Sequence, residues 1–231
     1  MHRYAQPGRA GAAAGAPLAF DALYTAHAAG LVRQAYLLTG SKHLARQAVY
    51  HAFYQAWHRW PEVAVDSDPA GWVRAAAYEY ALSPWRRLHR ANRGPSGRLG
   101  PDRALITALI GLPPSYRRAL LLHDGVGLGL PETAAETEAS TAATTNRLMH
   151  ARAAMAESLP ELREASPVRR AAALRRMLSE TAAAQHVRTR PAESVRAAGE
   201  RRAQVWTRTV YGLVGFFAAA VLVAAVLDTL W

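Results

Sequence analysis

A stretch with no charged residue, VYGLVGFFAAAVLVAAVL from Val210 to Leu227, lies near the C-terminal end of this 231-residue chain. About 18 or more consecutive apolar residues are enough to cross a hydrocarbon core of ~30 Å. Trp206 and Tyr211 stand at one edge of the stretch and Trp231 at the other, where amphipathic rings favour the headgroup level. Arg201, Arg202 and Arg208 precede it, and no Lys or Arg follows. Residues 208–229 therefore read as a transmembrane helix. The positive-inside rule places the N-terminal bulk in the cytoplasm of a single-pass inner-membrane protein. The competing reading is a buried core helix, but a core helix of this length usually keeps a polar stripe.

Charge supports the same topology. The formal net charge is +11, and residues 163–208 hold 11 Arg against 4 Glu. Basic residues beside an anionic leaflet contribute ~1 kcal/mol each, so residues 161–207 read as an Arg-rich juxtamembrane segment. A high pI alone then says little about nucleic acid. Cysteine is absent, which excludes a disulfide framework, a thiolate nucleophile and a Cys-based zinc site. Residues 1–17 lack the apolar run of a signal peptide and read as a disordered N-terminus.

From Leu18 onward the apolar residues recur at helical spacing. Phe20, Leu23, Tyr24, Leu31, Ala35 and Leu38 form one stripe, ended by Gly40. A second helix has Ser41 as N-cap and Pro61 as stop. Its stripe is Leu44, Ala48, Ala52, Phe53, Ala56, Trp57 and Trp60. A third is expected from Pro69 to Arg90, kinked or broken at Pro84. Residues 91–103 (ANRGPSGRLGPDR) are a linker by composition. ALITALIGLPPSYRRALLLHD then reads as two helices about a Leu-Pro-Pro break, GVGLGLP as a connection, and residues 131–138 and 140–155 as two more helices. Residues 166–204 are expected to be partly helical. No segment reads as a strand. The fold class is all-α, with two small helical domains at 18–90 and 104–160 and the C-terminal span.

Two constellations stand out. The helices at 131–138 and 140–155 have helix-turn-helix dimensions. With Ser140 as cap, the second would present Thr141, Thr144, Thr145, Asn146, Arg147, His150 and Arg152 to bases and phosphates. An ordinary helical hairpin fits the spacing equally well. The cluster Trp85, Arg86, Arg87, His89 and Arg90 interleaves a ring with guanidinium groups, which suits single-stranded or melted DNA. A basic helix end satisfying its dipole is the plainer account. No catalytic constellation, metal-ligand spacing or cofactor fingerprint is present. GVGLGL follows no strand and departs from GxGxxG, and the nine His residues include no HExxH.

In their order, FDALYTAH, LTG, AFYQAWHRW, GWVRAAA and WRRLHR, followed by ALIGLPPSYRRALLL, ETAAE and STAATTNRLMHARAAM, resemble bacterial RNA polymerase sigma factors of the sigma-70 family, extracytoplasmic-function type. The resemblance runs over roughly residues 18–160 and implies a region 2-like domain followed by a region 4-like helix-turn-helix. It implies polymerase core and promoter DNA as partners, with an anti-sigma factor as another, and no cofactor. The first domain would bind the polymerase clamp and the −10 element, and the second would read the −35 element. Carried onto this sequence, the clamp-facing surface is Arg46, Gln47, Val49, Tyr50 and His51. Arg46, Gln47 and His51 replace acids of the family pattern. The family's Asn and Asp in the third helix fall on Glu79 and Ser83, and its turn Gly on Glu138. The reading is a membrane-tethered, sigma-factor-like transcription regulator. Its alternative is a degenerate sigma-fold adaptor or competitor that acts by protein–protein contact without initiating transcription. Neither is an enzyme.

The span can be tested directly. Deleting residues 205–231 is expected to move the protein from the membrane pellet to the supernatant at high salt. A truncated chain that still pelleted would place the anchor elsewhere.

Overall fold

A computed structural model of the chain describes residues 8–83 and 102–198. All its regular elements are helices, and no strand occurs among the described residues. Two compact units divide it, Met1–Thr189 and Arg190–Trp231. In the second, the described part is a short helical stretch at 192–198. The apolar stretch 210–227 lies outside the described residues, and none of the described helices is long and apolar enough to cross a membrane.

Three long helices form the first block: α1 (Gly8–Thr39), α2 (Lys42–His58) and α4 (Pro69–Leu82), with one short turn, α3 (Trp60–Val63). Helix α1 begins at Gly8, ten residues before the periodic apolar pattern that starts at Leu18. The sequence GRAGAAAGA is rich in Ala, the best helix former, and Pro17 is carried inside the helix. Helix α2 is capped as expected, with the Ser41 side chain accepting from Leu44 N at 3.3 Å. Helix α2 ends at His58, before the expected stop at Pro61, which itself opens α3, because the missing N–H of proline is tolerated in a first turn. Asp68 caps α4 by accepting from Gly71 N at 2.8 Å. Ser83 leaves the helical region at φ −54°, ψ 129°, since the residue before a proline is pushed toward extended backbone. Helix α4 thus ends at Leu82, just before the break expected at Pro84. Trp85, Arg86, Arg87 and Arg90 lie outside the described residues.

An aromatic nucleus holds this block. The Phe20 ring meets Phe53 edge-on at 6.0 Å, Trp57 at 5.1 Å and Trp60 at 5.4 Å. Tyr24 packs on Phe53 at 4.7 Å. Such pairs add about 0.5–1.5 kcal/mol beyond area burial.

The second block comprises α5 (Asp102–Gly111), α6 (Pro114–Leu120) running into a π-helical turn (Leu121–Val126), then α7 (Leu130–Glu136), α8 (Thr141–Ser158), α9 (Pro160–Arg163) and α10 (Pro167–Ala183). The Leu-Pro-Pro break separates α5 from α6 as read from the sequence. Gly127, at φ 88°, ends the π turn in the left-handed region, where a side chain would be strained.

The two blocks share one hydrophobic core within the first unit. Leu37, Leu38, Tyr78 and Ala81 pack in the same cluster as Leu105, Leu109, Leu120 and Met155. Helix α10 joins that cluster through Leu174 and Leu178, while Arg169, Arg175 and Arg176 are exposed. This part of the Arg-rich segment is therefore an amphipathic helix of the compact unit.

One buried cation crosses between the blocks. Arg117 of α6 is 3 % exposed. Its guanidinium donates to Leu38 O near the end of α1, to Ile110 O at 3.1 Å and to Leu112 O at 3.0 Å. These are carbonyls at helix C-termini, where partial negative charge collects. An unsatisfied buried acceptor costs about 1–3 kcal/mol. Arg117→Met, close in length but without donors, is expected to lower unfolding free energy by roughly 3 kcal/mol or more, measured by urea denaturation of the full chain.

Candidate nucleic-acid interface

Helix α7, the turn Thr137–Ser140 and helix α8 form the helix-turn-helix. Ser140 caps α8 by accepting from Ala143 N at 3.1 Å. Thr133 and Ala134 of α7 and Leu148 and Ala151 of α8 are buried, and the two helices pack against each other.

The turn is a helix C-cap of the Schellman type. Ala139 N donates to Ala134 O at 3.0 Å and Glu138 N to Ala135 O at 3.1 Å. That pattern puts the residue after the cap in the left-handed region. Here it is Glu138, at φ 49°, the non-glycine residue with positive φ among the described residues.

Helix α8 is pinned from behind. Asp124 of the π turn has a fully buried side chain. It accepts from Arg152 Nε at 2.8 Å and Nη2 at 2.6 Å. This hydrogen bond to Asp124 outweighs burial and raises the Arg152 pKa above its ordinary value. A bidentate guanidinium–carboxylate pair fixes both distance and orientation, so Arg152 sets the pitch of α8 against α6.

The residues read as a DNA face therefore divide. Thr144 is fully buried and Arg152 is committed to Asp124; both hold the motif together rather than facing a ligand. Thr141, Asn146 and His150 are exposed, and Thr145 and Arg147 are half-buried. Thr145 Oγ1 donates to Thr141 O at 2.9 Å, and the His150 ring stands 6.2 Å from Tyr116. Met149, 60 % exposed, joins this face and was missed from the sequence. Its flanks Leu148 and Ala151 suggested core, yet its own position is one step round the helix.

On α2, Arg46 and Gln47 are exposed, whereas Tyr50 and His51 are half-buried and the His51 ring lies 4.5 Å from Tyr80. Val49 is 2 % exposed, a core residue and not part of a partner surface. No group of carboxylates and imidazoles suited to a metal occurs among the described residues.

A second feature adjoins the motif. Arg74 of α4 and Glu136 of α7 form a bidentate pair, Nε to Oε1 at 2.9 Å and Nη2 to Oε2 at 2.6 Å. Their side chains are 12 % and 11 % exposed. Burial works to lower the Arg74 pKa, but the hydrogen bond and charge of Glu136 prevail and raise it. Arg118 donates to Glu136 O at 2.7 Å. Beneath the pair, Tyr78 donates to Gln34 Oε1 at 3.0 Å. Burial, and then the Glu136 charge, push its pKa up, so the hydroxyl keeps its proton.

A capped second helix, a tight turn and exposed polar residues on that helix give this segment the form of a helix-turn-helix. Residues 102–155 match the family described as sigma-70, region 4. This part of the chain is thus similar to a sigma-factor DNA-binding domain, a non-enzymatic transcription-factor module. No curated protein shows a significant match to the chain.

The left-handed Glu138 gives a sharp test. A non-glycine residue there costs about 1–2 kcal/mol, partly offset by the greater unfolded-state freedom of glycine. Glu138→Gly is expected to stabilise the protein by about 0.5–1 kcal/mol, read from the midpoint of chemical denaturation.

Proposed function

We propose that this protein is a membrane-tethered, sigma-factor-like transcription regulator that binds promoter DNA through α8 and RNA polymerase core through α2. The observation that carries the reading is the capped helix-turn-helix with Asn146 and His150 exposed and Arg147 half-buried, inside the segment similar to sigma-70 region 4. Residues of this kind on a recognition helix supply both base-edge and phosphate contacts. The apolar stretch 210–227 supports the tether, the Arg-rich run before it supports a cytoplasmic orientation, and an anti-sigma factor is the natural antagonist of such a protein.

A second reading rests on α2. Its exposed Arg46 and Gln47 stand where the family pattern has acids that meet a basic clamp. Like charges across an interface cost several kcal/mol. A sigma-fold adaptor or competitor acting through protein–protein contact accommodates that substitution, whereas an initiating factor must overcome it.

The deciding experiment is capture of purified core polymerase by the full chain. Weak, salt-sensitive binding is expected. The double substitution R46E/Q47D is expected to strengthen it by roughly 1–3 kcal/mol, with the gain shrinking as salt rises. No capture by either protein at low salt would favour the adaptor. Tight wild-type capture lost in the double variant would mean that a basic surface now meets polymerase.

A further inference from the structure

We infer that the cavity between α8 and α10 is a binding site for a free acyl carboxylate, with the hydrocarbon chain inside the cavity and the carboxylate on Arg170.

The chain passes from α8 through the short α9 into α10, and α10 packs mainly on α1 and the π turn. The space left beside α8 is a cavity of about 360 Å³. Its walls are Met149, Ala153 and Ala156 of α8, Leu162 of α9, and Ala171 and Leu174 of α10. Positions 149, 153 and 156 lie on one side of α8 by helical spacing. Alanine at 153, 156 and 171 leaves the room, and the buried Leu162 and Leu174 close it from below. A volume of this size falls at the small end of ligand sites, which run from about 300 to 1,000 Å³.

Two guanidinium groups, Arg152 and Arg170, also line the cavity, and no carboxylate does. The two are not equivalent. Arg152 is already paired with the buried Asp124 through Nε and Nη2, so its charge is met from behind. Arg170 donates from Nε to Ala165 O at 2.8 Å and from Nη2 to Arg163 O at 3.0 Å. Both acceptors are neutral, so these bonds hold the guanidinium in place without cancelling its charge. Its Nη1 takes part in neither. Arg170 also lies in the first turn of α10, where the helix dipole favours an anion.

A cation beside an apolar cavity selects a ligand with both characters. A carboxylate answers the guanidinium with charge-assisted hydrogen bonds, and its chain removes Leu162, Leu174 and the alanines from water. A ligand polar along its whole length would leave groups unpaired against those walls. Helix α8 is the wall that the proposed function assigns to DNA, but the site stands without that assignment.

Octanoate is the probe, with the full chain held in nanodiscs of phosphatidylcholine. Met149 is 60 % exposed at the open edge of the cavity, so isotope labelling of the methionine methyls reads the site by NMR, with its signal assigned from M149L. Octanoate is expected to shift the Met149 methyl saturably and to leave Met1 in place. Acetate, without the chain, and octanamide, without the charge, should each bind about tenfold more weakly. R170M should weaken octanoate about tenfold and leave octanamide unchanged. A153L and A171L fill the cavity and should abolish the shift; Ala153 is exposed, so the first does so without disturbing the core. Absence of a saturable shift in the wild type overturns the proposal, as does a shift that persists in both A153L and A171L. Acetate binding as tightly as octanoate overturns the part given to the cavity. Octanamide binding as tightly, or equal loss of both ligands in R170M, overturns the contact between Arg170 and the carboxylate. A Met149 signal that moves without octanoate when phosphatidylglycerol replaces phosphatidylcholine gives the cavity to a lipid and overturns the free carboxylate.

Discussion

Arg117 is the interaction on which the architecture turns. A buried guanidinium in a helical protein has to find several acceptors, because its desolvation is not repaid by one bond. Here it finds them at the C-terminal carbonyls of two helices, one in each block. The arrangement satisfies both sides at once. Helix ends leave carbonyls without intrahelical partners, and the cation supplies donors where the helix dipole is most negative. The shared cluster around Leu38, Tyr78 and Leu120 then assembles about a fixed polar centre, which sets the register of α6 against α1.

The other polar contacts follow the same logic at the edges of the core. Asp124 and Arg152 orient α8, and Arg74 and Glu136 orient α7. Each is bidentate, and each joins an element of the motif to an element outside it. Apolar packing alone is tolerant of small rotations, since many residues of suitable size fill a core. Paired forks of donors and acceptors are not. The outward set Thr141, Asn146 and His150 is therefore defined as much by these pairs as by the hydrophobic stripe of α8.

The match to sigma-70 region 4 covers residues 102–155 and ends before α10. That helix packs on α1 and on the π turn, thereby touching both blocks. Its apolar edge, Leu174 and Leu178, is buried, and its Arg residues face outward. A segment that composition assigns to the membrane surface thus has a structural duty as well. The two are compatible, because a helix can bury one face and leave a basic face available.

The sequence by itself determined the helices and their inward faces. Leu44, Ala48, Ala52, Phe53 and Ala56 recur with helical period and are all buried, because a 3.6-residue repeat leaves one stripe to face the core. Ser41, Ser140 and Pro114 mark helix starts by local chemistry, whereas Glu138 is singled out only through the family resemblance. The tertiary structure alone decided which polar side chains are ligand-facing and which are bound internally. Thr144 and Arg152 look like Thr145 and Arg147 in the sequence, yet the first two are held inside. Their fate depends on what packs behind α8, and Asp124 is 28 residues away. Arg117 and Leu38 are 79 residues apart, and Arg74 and Glu136 are 62 apart. No local period or spacing carries such pairings, since they exist only once the chain has brought distant elements together.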